Sequence, residues 1–189
     1  MNYLEEKIIR DGIVIDNDIL KVDKFLNQQV DTELMEKIGS EFAEHFGEKK
    51  ITKVITIETS GIAPALMTAK ALNVPMLILK KQNSVTLNDE SYTTEVFSFT
   101  KKKSYKLIVS KRHIKDDDNI LIIDDFLANG EAASGAIRII KNTNASIAGI
   151  GIVIEKAFQD GRSKIESQGF EVYSIAKIKS LENNIIKFC

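Results

Sequence analysis

The sequence has few of the residues on which several protein chemistries depend. It contains one cysteine, Cys189, and two histidines among 189 residues, which excludes an intrachain disulfide and a cysteine-ligated metal cluster. Lys and Arg number 26 against 27 Asp and Glu, for a formal net charge of −1. No overall field therefore favours nucleic acid or an anionic membrane as a partner, and any phosphate binding must come from local groups.

Long apolar segments are also absent. No run approaches the ~18 apolar residues that span a bilayer. The N-terminal stretch MNYLEEKIIRDG carries acids and lacks the apolar centre of a signal peptide. We therefore expect a cytoplasmic protein with no membrane partner. With 43% hydrophobic residues, residues 1–189 are long enough to form a single domain with one full core.

Short β-branched runs alternate with helical stretches between residues 51 and 175, which predicts an α/β fold with a doubly wound, mostly parallel sheet flanked by helices. Several runs are apolar at successive positions, as is typical of central strands covered on both faces. The candidate strands are KVITI (53–57), PMLIL (75–79), YKLIV (105–109), NILIID (119–124), IAGIGIVI (147–154) and FEVYSI (170–175); the candidate helices are residues 31–46, capped by Asp31 or Thr32, 61–73 and 131–142.

Two segments do not fit this alternation. Residues 1–30 show no clear period and are interpreted as an appendage. Residues 81–104 are polar and rich in hydroxyls, and a loop of that length is often a lid over a binding site. An ordinary hairpin with TTEVFSF as an edge strand is the alternative, and a mobile hairpin would satisfy both interpretations. The triple lysine at 101–103 is interpreted as a solvated loop face, because no aromatic residues alternate with it.

The stretch ILIIDDFLANGEAASG (120–135) carries the strongest functional pattern. Asp124 and Asp125 end an apolar strand, where ligands of an open parallel sheet gather. Gly130 allows a tight turn before a helix whose N-terminus attracts anions. Carboxylates repel phosphate, so a ligand that touches both parts must carry hydroxyls or a metal. A ribose phosphate fits this requirement. The alternative is that one aspartate caps the helix while the other is solvated.

With these motifs in view, the sequence resembles the type I phosphoribosyltransferases. ILIIDDFLANGEA resembles that family's signature for phosphoribosyl pyrophosphate (PRPP), and VITIETSGIAPA (54–65) falls where the family has its pyrophosphate loop. ILKVDKFLNQQVD (19–31) and IVIEKAFQDGR (152–162) are similar to the bacterial branch that uses xanthine. The turn departs from the wider family, which usually has two threonines around glycines where this chain has Asn129, Gly130, Glu131 and Ala132. Backbone amides must therefore hold more of the phosphate.

The resemblance implies a type I phosphoribosyltransferase fold, with residues 1–30 in a small N-terminal hood over the base and a flexible loop at 81–104. It also implies transfer of ribose 5-phosphate from PRPP to xanthine, with Mg²⁺ arriving with PRPP, no metal held by the protein, no nucleic-acid partner, and a homodimer. The implied site residues are the catalytic Asp124 and Asp125; Ala128, Asn129, Gly130, Glu131, Ala132, Thr59, Ser60, Gly61 and Lys81 for PRPP; and Leu20, Asn27 and Lys156 for the base.

Some alternatives stay open at this stage. Lys156 could be a solvated lysine, Leu20 a packing residue, and Phe126 is expected beneath the sheet rather than against the base. A related enzyme could use adenine or another 6-oxopurine. A non-catalytic regulator could use the same fold to sense PRPP or purines.

Overall fold

The computed structural model describes residues 1–82, 90–98 and 103–189. The helices are α1 (Tyr3–Asp11), α2 (Thr32–Phe46), α3 (Ile62–Leu72), α4 (Glu131–Lys141) and α5 (Gly161–Glu166). The strands are β1 (Ile13–Ile15), β2 (Ile19–Lys21), β3 (Lys53–Ile57), β4 (Met76–Gln82), β5 (Ser91–Ser98), β6 (Lys103–Ser110), β7 (Asn119–Leu127), β8 (Ser146–Lys156), β9 (Val172–Ser180) and β10 (Lys187–Phe188).

Eight strands form the main sheet, in the order β10-β9-β8-β7-β3-β4-β6-β5. The five strands from β9 to β4 are parallel. At one end of the sheet β10 pairs antiparallel with β9, and at the other β6 pairs antiparallel with β4 and β5 with β6. The predicted α/β class with a mostly parallel sheet is confirmed. The chain leaves β3 towards β4 and leaves β7 towards β8, so the strand order reverses between the neighbours β3 and β7. Ligands of such sheets bind at this switch point, outside the carboxyl ends of the strands.

Both faces of the sheet are covered, which explains the continuous apolar runs. Val54 and Leu121 belong to the core beneath α2 and α3, whereas Ile55 and Ile122 belong to the core beneath α4. Successive residues of one strand point to opposite faces. Because helices cover both faces, every residue of β3 is buried. The strand therefore lacks the alternation of apolar and polar residues that marks a strand with one face in water.

The N-terminal residues are better ordered than their pattern suggested. Asn2 caps α1 and forms a capping box with Glu5, and Leu4 and Ile8 have no exposed surface. The interpretation of residues 1–30 as an appendage without helical period was wrong, because α1 packs into the same core as α2. Asp31 caps α2 by accepting a bond from the Leu34 amide at 3.1 Å, so the first of the two predicted caps is confirmed.

The segment after β4 supports the hairpin interpretation. β5 pairs with β6 along its length, from Ser91 opposite Ser110 to Ser98 opposite Lys103, and β5 is the last strand at that end of the sheet. Residues 83–89 and 99–102 lie outside the described residues, and with them nearly half of the predicted lid and two of the three clustered lysines. In the part of the chain that the structure describes, no helix is long and apolar enough to cross a membrane.

Candidate active site

Two aspartates lie where β7 extends beyond the end of its neighbour β3. The pairing of β3 with β7 ends at Thr56 opposite Ile123, whereas the pairing of β7 with β8 continues to Leu127 opposite Glu155. The strand predicted to end at Asp124 thus runs three residues further. Asp124 and Asp125 come just after the last pair with β3, beside the loop that joins β3 to α3.

Asp124 is held against that loop. Asp124 is only 6% exposed. Its Oδ1 accepts a hydrogen bond from the Asp125 amide at 3.1 Å. A Cβ atom added to Gly61 would lie 3.0 Å from Asp124 Oδ1 and 2.4 Å from Thr56 Oγ1. Only glycine permits this approach without displacing one of the two oxygens. The predicted ribose site and the predicted pyrophosphate loop therefore meet at Gly61.

The pKa values of both aspartates are raised. Burial, and then the negative charge of Asp125, raise the pKa of Asp124 well above its usual value. Burial also raises the pKa of Asp125. The positive charge of Lys81 acts in the opposite direction on both. A buried acid without a close cation is costly to keep charged, and pKa values displaced in this way cluster at functional sites.

The turn after β7 forms an anion socket at the start of α4. Gly130 adopts a left-handed φ of 78°, and a Cβ there would lie 2.9 Å from the Gly161 Cα atom. No side chain caps α4 among the described residues, so the amides of its first turn remain available for an anion. The turn lines a cavity of about 140 Å³ together with Phe97 and Tyr105; the lining residues from the turn are Phe126–Ala133.

The negative charge of Glu131 has a partner. Lys164 lies 3.6 Å from a Glu131 carboxylate oxygen and donates a bond to the Asn129 carbonyl oxygen at 3.1 Å. This lysine draws the carboxylate towards α5 and adds a positive charge beside the turn. Lys164 has no signal of its own in the sequence, because nothing in the local pattern distinguishes it from other exposed lysines.

A tyrosine links this cavity to the acids. Burial, then the charges of Asp124 and Glu131, raise the pKa of Tyr105 to about 12, so the phenol stays protonated at neutral pH. Lys81 Nζ lies 5.3 Å from the centre of the Tyr105 ring. Lys81, which the resemblance implies for PRPP, lies close enough for its charge to act on both acids, although its side chain is exposed.

The residues predicted to hold pyrophosphate form the loop from Glu58 to Gly61. Thr59 is exposed, while Ser60 is half-buried. Glu58 points instead towards β4, where its carboxylate accepts a bond from the Lys81 amide and lies 3.5 Å from Lys80 Nζ. The peptide bond between Glu58 and Thr59 is cis.

A second cavity, of about 500 Å³, contains all three residues predicted to contact the base: Leu20, Asn27 and Lys156. Phe126, Ala128 and Asn129 also line it, so it shares a wall with the cavity at the turn after β7. Phe126 was expected beneath the sheet rather than against the base. It is half-buried, packs against the core beneath α2 and α3, and also lines this shared wall, so the expectation describes only part of its environment. The other lining residues are Asp18, Ile19 and Gln159.

The N-terminal segment, residues 1–30, contacts Lys156 and contributes Leu20 to the second cavity. Lys156 ends β8 and donates a bond to the Asp18 carbonyl oxygen at 2.6 Å, with the Asp18 carboxylate 3.5 Å away. Its side chain is 13% exposed, so the alternative of a freely solvated lysine was wrong. Leu20 is 5% exposed and belongs to the core while also lining the cavity, so both interpretations of Leu20 describe part of its environment.

A buried ion pair braces the segment that follows Lys156. Glu155 is 2% exposed, and Arg162 binds both of its carboxylate oxygens, at 2.8 and 2.6 Å. Arg162 also donates to the Val172 carbonyl oxygen and to Ser174. This geometry is the bidentate one that arginine forms best with carboxylates. It fixes both ends of the turn between β8 and α5. Lys156, at the end of β8, and Gln159, on the turn, line the second cavity.

This chain is similar to known proteins along most of its length. The phosphoribosyl transferase domain model matches residues 24–188, and the chain belongs to that family. Its curated relatives include the xanthine phosphoribosyltransferase of Agathobacter rectalis, 58% identical with 100% of this chain and 98% of that protein covered. Xanthine phosphoribosyltransferase 1 of Clostridium botulinum strain Hall is 55% identical, with 100% and 99% covered.

Solved structures share the fold at much lower identity. The adenine phosphoribosyltransferase of Thermoanaerobacter pseudethanolicus is 19% identical, with a TM-score of 0.76 over 92% of this chain and 99% of that one. The enzyme of Giardia lamblia complexed with 9-deazaadenine is 18% identical, with a TM-score of 0.77 over 94% and 98%. These likenesses concern the fold alone.

Proposed function

We propose that this protein transfers ribose 5-phosphate from PRPP to xanthine, giving xanthosine 5′-monophosphate and pyrophosphate in purine salvage. The observation that carries the proposal is the wall shared by the two cavities. Phe126, Ala128 and Asn129 line both the anion socket at α4 and the cavity with Lys156. A ligand with phosphate at one end and a purine at the other would span them, with its ribose beside β7.

In this proposal the protein supplies positioning and charge rather than a nucleophile. The C1–pyrophosphate bond of PRPP breaks ahead of bond formation to the purine nitrogen, which leaves positive charge on the ribose. Asp124 and Asp125 accept hydrogen bonds from the ribose hydroxyls and favour that charge. The 5′-phosphate takes the turn from Ala128 to Ala132, where the helix dipole and free amides are aimed.

The pyrophosphate end takes the loop with Thr59, Ser60 and Gly61, and Lys81 adds a cation. Mg²⁺ enters as part of the PRPP complex, where it offsets the charge of the leaving pyrophosphate. No group of three or more His, Cys, Asp or Glu side chains in the described ranges could hold a metal ion. Mg²⁺ bound to PRPP would keep several waters and need few protein ligands.

The base takes the larger cavity. Lys156 donates to a purine oxygen, Asn27 contributes a polar contact, and Leu20 and Phe126 pack against the ring. An ammonium donor suits 6-oxopurines and opposes the 6-amino group of adenine. We place the enzyme in the cytoplasm and propose a homodimer, which sedimentation of the purified protein would test.

The experiment is a panel of bases mixed with PRPP and Mg²⁺, with pyrophosphate release and nucleotide product both measured. Turnover of xanthine far above adenine is expected. Fast turnover of adenine with none of xanthine would contradict the choice of base, and binding of PRPP without any turnover would favour the regulator. Lys156→Met is expected to raise the KM for xanthine about 10-fold or more, as for loss of a charge-assisted hydrogen bond, with little change in the KM for PRPP.

A further inference from the structure

The base cavity contains a polar group that the proposed function leaves without a role. Gln159 lines this cavity with Lys156 and Phe126. Its carboxamide oxygen Oε1 is buried and has no hydrogen-bond partner among the described residues. Its backbone amide donates to the Lys156 carbonyl oxygen at 2.9 Å, so a tight turn carries the two side chains from one short segment.

An unpaired buried acceptor costs a folded protein about 1–3 kcal/mol, and such groups are few in native structures. Only two other buried side-chain oxygens in the described residues share this state, those of Tyr3 and Thr56. Gln159 is the one of the three that lines the base cavity. The brace between Glu155 and Arg162 fixes the turn that carries Gln159, so the residue with the unpaired oxygen stays beside the base cavity.

We propose that Gln159 is a specificity-determining residue whose carboxamide oxygen accepts a hydrogen bond from a ring N–H of the bound 6-oxopurine. This inference rests on the proposed function. An oxopurine carries a C=O group directly beside a ring N–H group. Lys156 is a donor and suits the C=O, while the Gln159 oxygen is an acceptor and suits the N–H. Adenine reverses this edge, with an amino donor beside an unprotonated ring nitrogen.

The geometry permits this contact with a small motion. The terminal torsion of a glutamine is broad, so rotation of the carboxamide turns its oxygen towards the cavity without moving the backbone. The turn stays anchored by the bond from the Gln159 amide to Lys156. Binding of the base would then satisfy the acceptor that the free protein leaves unpaired.

The test compares Gln159→Met, which keeps the length of the side chain and removes its hydrogen bonds, with Gln159→Glu, which keeps an acceptor oxygen. Gln168→Met is the matched control, because Gln168 is exposed and bonds to Lys141 and Lys164 away from the base cavity. For each variant, kcat and KM are measured for xanthine, hypoxanthine and guanine and for PRPP, together with Tm.

We expect Gln159→Met to lower kcat/KM for xanthine about 10- to 100-fold, as for loss of a hydrogen bond to a buried site, with the KM for PRPP within about twofold of wild type. Gln159→Glu should retain more activity than Gln159→Met. The Tm of Gln159→Met should equal or exceed that of wild type, because an unpaired polar group is removed. A lower Tm with unchanged kinetics would indicate a purely structural residue and overturn the proposal.

The three bases identify the nitrogen. Xanthine, hypoxanthine and guanine all carry N1–H, but only xanthine carries N3–H. A loss confined to xanthine assigns N3–H. An equal loss for all three assigns an N–H group that they share, of which N1–H is the one beside the 6-oxo group. Wild-type kcat/KM for every base in Gln159→Met would refute the inference. If wild-type protein used no xanthine at all, the proposed function would fail first, and the variants would then be compared on the base that it does use.

Discussion

Replacement of Asp124 by Asn is expected to stabilise the fold while it removes activity. Asp124 is 6% exposed and makes no ion pair within 4 Å in the described ranges. Its pKa is raised by burial and by the charge of Asp125. Asn keeps the shape and the bond from the Asp125 amide but carries no charge. The gain at neutral pH should be about 1–3 kcal/mol, the usual penalty for an uncompensated buried polar group.

The effect has a defined pH dependence. Because the folded-state pKa lies above the unfolded value of about 3.9, both states of wild-type protein bind the proton below pH ~4, and Asp124 costs nothing there. As pH rises towards the folded-state pKa, wild type loses stability that Asp124→Asn retains. For a domain of this size 1 kcal/mol moves Tm by about 2–4 °C, so the variant should gain about 2–12 °C at pH 8 and almost nothing at pH 4.

Asp118 provides the matched control, because it is also 6% exposed but forms an ion pair with Lys53. Burial alone would raise the pKa of Asp118, but bonds from Lys53, the Lys115 amide and Thr52 lower it below its usual value. This stabilisation is present above the unfolded pKa and is lost as pH falls through the lower folded pKa. Asp118→Asn should therefore lower Tm at pH 8.

The measurements are thermal unfolding of wild type and both variants at pH 4 and pH 8, and nucleotide formation from PRPP. Asp124→Asn should lose activity by about 100-fold or more, a magnitude typical of removing a group that stabilises charge in the transition state. A lower Tm for Asp124→Asn at pH 8, or a gain equal at both pH values, would refute the argument from buried charge. Retained activity would refute the catalytic role.

Two further predictions concern residues that support the site. Gly61→Ala should lower kcat/KM for PRPP at least about 10-fold, because the new methyl group would overlap Thr56 and displace Asp124, and a displacement near 1 Å can lower a rate ~100-fold. Initial-rate kinetics would measure this, and an unchanged rate would contradict it. Arg162→Met should lower the free energy of unfolding by about 3–5 kcal/mol, since it leaves Glu155 buried without its partner. Urea unfolding would measure this, and a loss below ~1 kcal/mol would show that Glu155 finds other partners.

The helices and strands could largely be read from the sequence because they depend on neighbouring residues. Period-3.6 spacing of Leu34, Ile38 and Phe42 identified α2, and the apolar run before Asp124 identified β7. The first helix was missed although Asn2 and Glu5 form a capping box. Its signal occupies only nine residues, and a helix so short shows too few turns for its period to stand out.

Within the site, sequence patterns alone identified the two aspartates, the glycine turn and the helix after it, because these residues are consecutive and their chemistry is local. The resemblance added the base residues. Tertiary structure decided the rest: that Asp124 is buried against Gly61, that Lys164 pairs with Glu131, and that Lys156 bonds to Asp18 across 138 positions of sequence. Contacts between residues so far apart depend on how the sheet and the N-terminal segment pack together, and no local pattern of charge or hydropathy encodes that packing.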